Sequence, residues 1–281
     1  PATGLSDAQF EKVRSYFYRL TGMNFGDHKR YFVDKRVLGC IEASGEPDFD
    51  AWFQRLRLGT DQTLVQHVIN RLTVNETYFA REEYQFAGLV RSALPAILAQ
   101  PSRNAALKIL SLPCSTGEEP YSIAIELLEH WPALAQVDVS IVGGDIDTSV
   151  LDRARAGVYG QRSLHLLPPR FRQKYFTRLA DDRWHVATEL REAVEFRRVN
   201  LSDPLSVRDL RDFDVVFCRN LLIYFDHLSS RVAAQHLFEM MRPGGFLFLG
   251  HSESMSRISP IFEPVRFPDG LAYQRPLEDR P

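Results

Sequence analysis

From Leu107 onward, strand-like runs alternate with helix-length stretches, and this alternation constrains the fold more than any other feature of the chain. The runs are Leu107–Leu112, Val137–Gly143, Val194–Val199, Phe213–Cys218 and Phe246–Leu249. Between them lie the helical stretches Glu118–Trp131, Asp147–Ala156 and Leu228–Met241. Strands spaced by helices predict a parallel, doubly wound α/β sheet. Val265–Tyr273 carries Asp269-Gly270 and predicts a hairpin with an Asp-Gly turn, an antiparallel close to a parallel sheet. Residues 157–193 interrupt the pattern: Pro168-Pro169 and a short helical stretch lead to Arg183–Ala187, one strand of a small inserted sheet.

Residues 5 to about 100 follow a different rule and read as helices throughout. Ser6 with Gln9 forms a capping-box signal, after which Phe10, Val13, Phe17 and Leu20 recur at helical spacing until Gly22. A second helix is predicted over Asp27–Ser44, with Phe32, Val33, Val37, Cys40 and Ile41 apolar and Lys29, Lys35 and Arg36 near the other side. A third covers Phe49–Leu58, and a fourth carries Leu64, Val65, Val68, Ile69 and Leu72.

At 281 residues the chain holds one large domain or two modest ones. Its net charge of -2 offers no basic excess to draw it onto nucleic acid or a membrane. The longest apolar stretches are strand-sized, and PATGLSDAQF lacks the apolar core of a secretory signal. Cys40, Cys114 and Cys218 stand apart, without a CxxC pair, so neither a zinc knuckle nor a disulfide framework is expected. The expected location is the cytoplasm. The missing initiator Met and the polar tail LEDRP lead us to expect a trimmed sequence with further domains beyond it.

Chemistry concentrates first at Leu110–Pro120. A buried strand stops at Pro113, small residues Ser115, Thr116 and Gly117 follow, and a helix opens at Glu118 with Pro120 in its first turn. A phosphate binder would place amides and Lys here, whereas this turn carries Glu118 and Glu119. Two acids favour a cationic ligand, such as an ammonium or sulfonium. The second strand leads into Gly143-Gly144-Asp145-Ile146-Asp147. Asp145 suits ribose hydroxyls and Asp147 suits capping the next helix; the alternative is that both merely cap.

Asn200 and Leu201 follow the next strand, and Asn220, Leu221 and Tyr224 the one after, all at the same sheet edge. Asn220 has a donor and an acceptor for an amino-acid group or a base edge. Tyr224 either walls the pocket or is a buried tyrosine with a satisfied hydroxyl. Asn75–Arg81 joins two helices with polar and aromatic residues; Arg81 either holds a carboxylate or makes a surface salt bridge. His251-Ser252-Glu253-Ser254 offers Ser, His and Glu without a GxSxG elbow, which argues against a serine hydrolase. His67 reads as structural, and the eight histidines show no metal spacing, so no metal is expected.

Taken together, LTVNETYFAREEYQF, LSLPCSTGEEPYSIAI, GGDIDTSVLDRARAGVYG, VVFCRNLLIYFD and LFLGHSES resemble the CheR family, chemotaxis-type methyltransferases that use S-adenosylmethionine to methylate glutamates on chemoreceptors. The resemblance implies an all-α N-terminal domain over 1–85. It implies a Rossmann-like class I methyltransferase domain over 86–281, with a C-terminal antiparallel hairpin and a small antiparallel β-subdomain inserted at about 157–193. The family's cofactor contacts fall on Asn75, Thr77, Arg81, Glu119, Asp145, Asn200, Leu201, Asn220 and Leu221, and its proposed catalytic pair on Arg81 and Tyr224. Of the two acids at the turn, Glu119 becomes the ligand contact and Glu118 the helix-terminus charge.

The product would be S-adenosyl-L-homocysteine and the partner a chemoreceptor cytoplasmic helical bundle, with no nucleic acid and no membrane insertion. Some members bind a pentapeptide at the receptor's C-terminus; the short Tyr175–Trp184 stretch predicts that this chain does not. The second helix meets the receptor in the family, though Lys29, Arg30, Lys35 and Arg36 also read as a solvated face. The same chemistry could serve swimming or surface sensing. The competing class is a non-catalytic module that binds S-adenosylmethionine or S-adenosylhomocysteine.

Overall fold

The computed structural model describes residues 4–100 and 106–277; the first three residues and the last four, including most of LEDRP, lie outside the described residues. Four helices come first: α1 (Asp7–Thr21), α2 (Arg30–Ser44), α3 (Phe49–Leu58) and α4 (Gln62–Leu72). Their ends follow local chemistry. Ser6 and Gln9 close a reciprocal capping box on α1, and Asp48 and Asp61 cap α3 and α4. The predicted second helix divides into a 3₁₀ turn at Asp27–Lys29 and α2 proper. Phe10, Val13, Phe17, Val33, Val37, Trp52 and Ile69 meet in one core, while Phe32 and Ile41 are only partly buried at its edge. Ile146, from the far side of the molecule, joins the same core.

After α4 the chain crosses an irregular segment and enters α5 (Glu83–Gly88), a π turn (Leu89–Ala93) and α6 (Leu94–Leu98). The alternation then appears as expected: β1 (Leu107–Ser111), α7 (Glu118–His130), β2 (Val139–Asp145) and α8 (Thr148–Ala156). Residues β3 (Val158–Tyr159), α9 (Pro169–Tyr175), β4 (Phe176–Arg178) and β5 (Trp184–Val186) form the insertion. Its three strands make a separate antiparallel sheet of order β3-β5-β4. The chain returns through α10 (Thr188–Glu192), β6 (Val194–Arg198), α11 (Pro204–Val207), β7 (Phe213–Cys218), α12 (His227–Met240) and β8 (Met241–Leu249). It ends in β9 (Glu263–Phe267) and β10 (Gly270–Gln274).

The main sheet has seven strands in the order β6-β2-β1-β7-β8-β10-β9. β6, β2, β1, β7 and β8 run parallel, and β10 pairs antiparallel with both β8 and β9. Two boundaries differ from expectation. β8 starts five residues before Phe246, because Met241 also pairs with β7; the residues between them bulge out of register, with Gly244 at φ +79. In the hairpin Gly270 pairs with Phe267, so the loop residues are Pro268 and Asp269 and the turn is not centred on Asp-Gly. Gly270 instead takes φ +148 as the first residue of β10.

Two apolar layers cover the sheet, one built on Ile109, Phe217 and Phe248, the other on Leu110, Val216 and Leu247. The order reverses between β1 and β7, which opens a crevice at the strands' C-terminal ends. The helical unit closes over that crevice. Asn200 Nδ2 donates to Leu20 O (2.8 Å), Tyr18 Oη to Asp226 Oδ2 (2.9 Å) and Asn70 Nδ2 to Thr148 Oγ1 (2.9 Å), while Met23 bridges Phe225. Among the described residues no helix is long and apolar enough to cross a membrane. All three cysteines are buried and unpaired.

Candidate active site

The crevice is a cleft enclosing about 1000 Å³, including its open mouth, between the sheet edge, the helical unit and the segment after α4. All ten predicted site residues line it: Asn75, Thr77 and Arg81; Glu119 and Asp145; Asn200 and Leu201; Asn220, Leu221 and Tyr224. Residues up to 149 positions apart in the chain, Asn75 and Tyr224, converge because each strand delivers its loop to the same edge.

The turn after β1 is held by backbone geometry. Ser115 takes φ +48 and Gly117 φ +94. A Cβ on Gly117 would lie 2.9 Å from the Ala154 Cβ and 3.0 Å from the Tyr159 hydroxyl, so glycine is required twice over. Ser115 N donates to Asp145 Oδ2 (2.8 Å) and Asp147 N to Asp145 Oδ1 (3.0 Å). Burial pushes the Asp145 carboxyl up to about 6, against the pull of these two N–H groups. Each oxygen keeps a lone pair for the hydroxyls of a ligand.

Asp147 caps α8 as expected, its Oδ1 accepting from Ser149 N (2.8 Å) and Val150 N (3.3 Å). It does more: Oδ2 accepts from Asn75 Nδ2 (2.7 Å) and Thr73 Oγ1 (2.9 Å), which ties the segment after α4 to the sheet. Asn75 and Asn200 therefore face the cleft with side chains already engaged: Asn200 donates to Leu20 O and its Oδ1 accepts from Ser202 N. Asn220 differs. It takes φ +60, and its side-chain amide has no hydrogen-bond partner among the described residues.

Neither acid of the turn is the open anion that its position alone implied. Glu118 is buried and turned toward the insertion, accepting from Thr116 Oγ1 (2.6 Å) and Ser163 Oγ (2.6 Å). Glu119 accepts from Ser111 Oγ (2.7 Å) and from Arg219 Nη1 (3.0 Å). Burial pushes the Glu119 carboxyl up, and the Arg219 guanidinium pulls it back. Arg219 also donates to Arg81 O (2.7 Å) and lies 3.4 Å from Glu82 Oε2.

Arg81 Nη1 donates to Glu76 O (2.9 Å), and its guanidinium lies 5.6 Å from the centre of the Tyr78 ring. Tyr224, half-buried, stands near enough to feel its charge: burial raises the phenol's pKa and Arg81 lowers it. The Tyr224 hydroxyl makes no hydrogen bond among the described residues, which favours the pocket-wall reading over a satisfied core tyrosine. Arg81 carries no surface salt bridge there either. His67 is exposed on α4 away from the cleft, and His251 lies beside Glu82 (Nδ1 to Oε1 2.9 Å), with no serine triad around it.

Two residues escaped sequence reasoning: Arg219 and Glu253. An arginine placed directly after the fully buried β7 must have acidic partners, and that was the available signal. Glu253 offered only a carboxylate in a loop.

A buried carboxylate at the end of the second strand suits the vicinal hydroxyls of a ribose, and Ile146, Leu201 and Leu221 form apolar walls for a base. Glu119 and the free amide of Asn220 suit an amino-acid end. This donor set fits S-adenosylmethionine. The sheet order, with its antiparallel β10 inserted beside the last strand, and the crevice together define a class I methyltransferase.

Comparison with known proteins narrows the class. Residues 8–73 match the CheR methyltransferase all-alpha domain, and residues 75–270 the CheR methyltransferase SAM binding domain. The chain belongs to the CheR methyltransferase family. Its relatives include Chemotaxis protein methyltransferase 2 of Vibrio cholerae, 47% identical over 272 residues, covering 97% of this chain and 94% of that protein. Chemotaxis protein methyltransferase 2 of Pseudomonas aeruginosa is 37% identical, with 91% and 90% covered. Chemotaxis protein methyltransferase of Salmonella typhimurium is 35% identical, with 90% and 86% covered.

Proposed function

We propose that this protein transfers the methyl group of S-adenosylmethionine to glutamate side chains on the cytoplasmic helical bundle of a chemoreceptor, forming methyl esters. The observation that carries the reading is that Arg81 and Tyr224 both line the mouth of the Asp145–Glu119 cleft. The names of the relatives, chemotaxis protein methyltransferases, support the acceptor class. Residues 1–85 act as the helical domain and 86–281 as the methyltransferase domain, with the insertion over about 157–193. The setting is the cytoplasm.

When bound, S-adenosylmethionine supplies an electrophilic methyl on a sulfonium. Asp145 accepts the ribose hydroxyls. Glu119, buffered by Arg219, and the Asn220 amide hold the amino-acid end, while Asn75, Thr77, Asn200, Leu201 and Leu221 form the walls. Arg81 orients one oxygen of the acceptor carboxylate, and Tyr224 shapes the approach to the methyl. A glutamate with a pKa near ~4.3 is already ionised at neutral pH, so the site needs no general base. Catalysis then comes from proximity and alignment. The insertion's β4–β5 loop supports pentapeptide independence: Leu179 N donates to Arg183 O (2.8 Å), closing a short turn.

The test is incubation with labelled S-adenosylmethionine and receptor cytoplasmic domains. Ester-linked label is released as methanol in alkali, and label on nitrogen is not. Tight cofactor binding with no labelled receptor would favour the non-catalytic module.

A further inference from the structure

β7 and β8 leave the sheet side by side, with Cys218 in register with Leu249. Their loops diverge: one carries Asn220, Leu221 and Tyr224 to the cleft, the other runs through Gly250 to Glu253. Glu253 turns back across the gap. Its Oε2 accepts from Asn220 N (2.8 Å) and Gly250 N (2.8 Å), and its Oε1 from Ile223 N (3.3 Å). Glu253 N in turn donates to Gly250 O (2.9 Å). The side chain is not among the groups that line the cleft.

The loop that this carboxylate holds is not one the backbone would adopt unaided. Asn220 sits in the left-handed region, and Leu221–Tyr224 closes a tight turn through Tyr224 N to Leu221 O (3.0 Å). Space is equally tight: a Cβ on Gly250 would fall 2.8 Å from Asn220 Nδ2 and 2.9 Å from Glu253 Oε2. One anion thus satisfies N–H groups from both loops, and the Asn220 and Ile223 N–H groups have no other acceptor among the described residues.

We propose that Glu253 is a positioning residue, whose carboxylate holds the loop from Asn220 to Tyr224 so that the Asn220 amide and the Tyr224 ring face the cleft. The inference rests on the reading that this cleft binds S-adenosylmethionine and its product. Glu253 touches neither ligand nor acceptor; it acts through the backbone of the residues that do.

The test is a double-mutant cycle read by calorimetric titration with S-adenosylhomocysteine, which needs no acceptor protein. Glu253→Gln, which replaces an accepting oxygen by NH₂, should weaken affinity by about tenfold, the loss of one charge-assisted hydrogen bond. In an Asn220→Ala background the same change should have almost no effect. Gly250→Ala, which crowds the same contact without removing charge, should reproduce the loss and covers the case in which Glu253→Gln does not fold. Equal losses in the two backgrounds, or full affinity in Gly250→Ala, would overturn the proposal. A protein that binds the product with these affinities but labels no receptor would refute the proposed function and leave Glu253's role standing.

Discussion

Arg219 donates to Glu119 across 3.0 Å with both side chains almost wholly shielded from water, so the acid that lines the cleft is half of a buried ion pair. Two consequences follow from physical chemistry. Burial pushes the Glu119 carboxyl up, and the Arg219 guanidinium opposes that push. It also joins the ligand's floor to the backbone of Arg81, which accepts from the same guanidinium.

Arg219→Met should destabilise the protein by about 3–5 kcal/mol, because it strands a buried carboxylate. Urea unfolding measures it. The double variant Arg219→Met, Glu119→Gln should recover part of that loss, since removing both charges removes the unpaired one. No recovery would mean that the loss arises elsewhere in the network, at Glu82 or at the Arg81 carbonyl.

Asp145 gives a pH dependence with two opposite signs. Its folded carboxyl titrates at about 6, above its ordinary value of 3.8, so the folded state holds this proton more tightly than the unfolded chain. Its contribution to stability is therefore full below about pH 4 and is lost as pH rises through about 6. Ligand affinity runs the other way, because only the ionised form accepts two hydroxyl hydrogens. Affinity for S-adenosylhomocysteine should fall by up to about tenfold per pH unit below pH 6. Calorimetry at several pH values checks this, and Asp145→Asn should flatten the profile.

Asp147→Ala should cost about 1–3 kcal/mol, combining a lost helix cap with the loss of a charged acceptor for two side-chain donors. Those donors are Thr73 and Asn75, so the segment leading to Arg81 should loosen with it. Hydrogen exchange over residues 73–81 should rise more than exchange over α1. Uniform change would argue that Asp147 is a cap and nothing else.

A receptor C-terminal pentapeptide should give no saturable heat of binding at millimolar concentration. The turn at Leu179–Arg183 is already closed on itself, with Arg178 and Asp182 paired at 2.5 Å across it. A saturable isotherm would contradict the expectation.

How much of this was legible beforehand depends on whether a feature is local. β7 was read residue for residue, because Phe213–Cys218 is apolar but for Asp214 and ends in polar residues. The helix ends at Gly22, Gly45 and Gly59 were equally plain, each glycine taking a positive φ. β8 was read too short, since Pro243 and two glycines carry a turn signal; in the fold they form a bulge between two segments that both pair with β7. Gly250 apart, the partners of Arg219 and Glu253 lie 30 to 138 positions away, and no periodicity records a contact of that kind. The acids of the turn illustrate the same limit. Their identity was visible at once, but that Glu118 turns to Ser163 and Glu119 to Arg219 is a property of the packed chain.

The central claim, that Arg81 and Tyr224 at the mouth of this cleft direct methyl transfer to a receptor glutamate, is tested most directly by Arg81→Ala in a single-turnover assay. The rate of base-labile methyl incorporation should fall by about a hundredfold, the usual loss on removing one preorganised donor. Affinity for S-adenosylhomocysteine should change far less. An Arg81→Ala protein that methylates the receptor at the full rate would contradict the account.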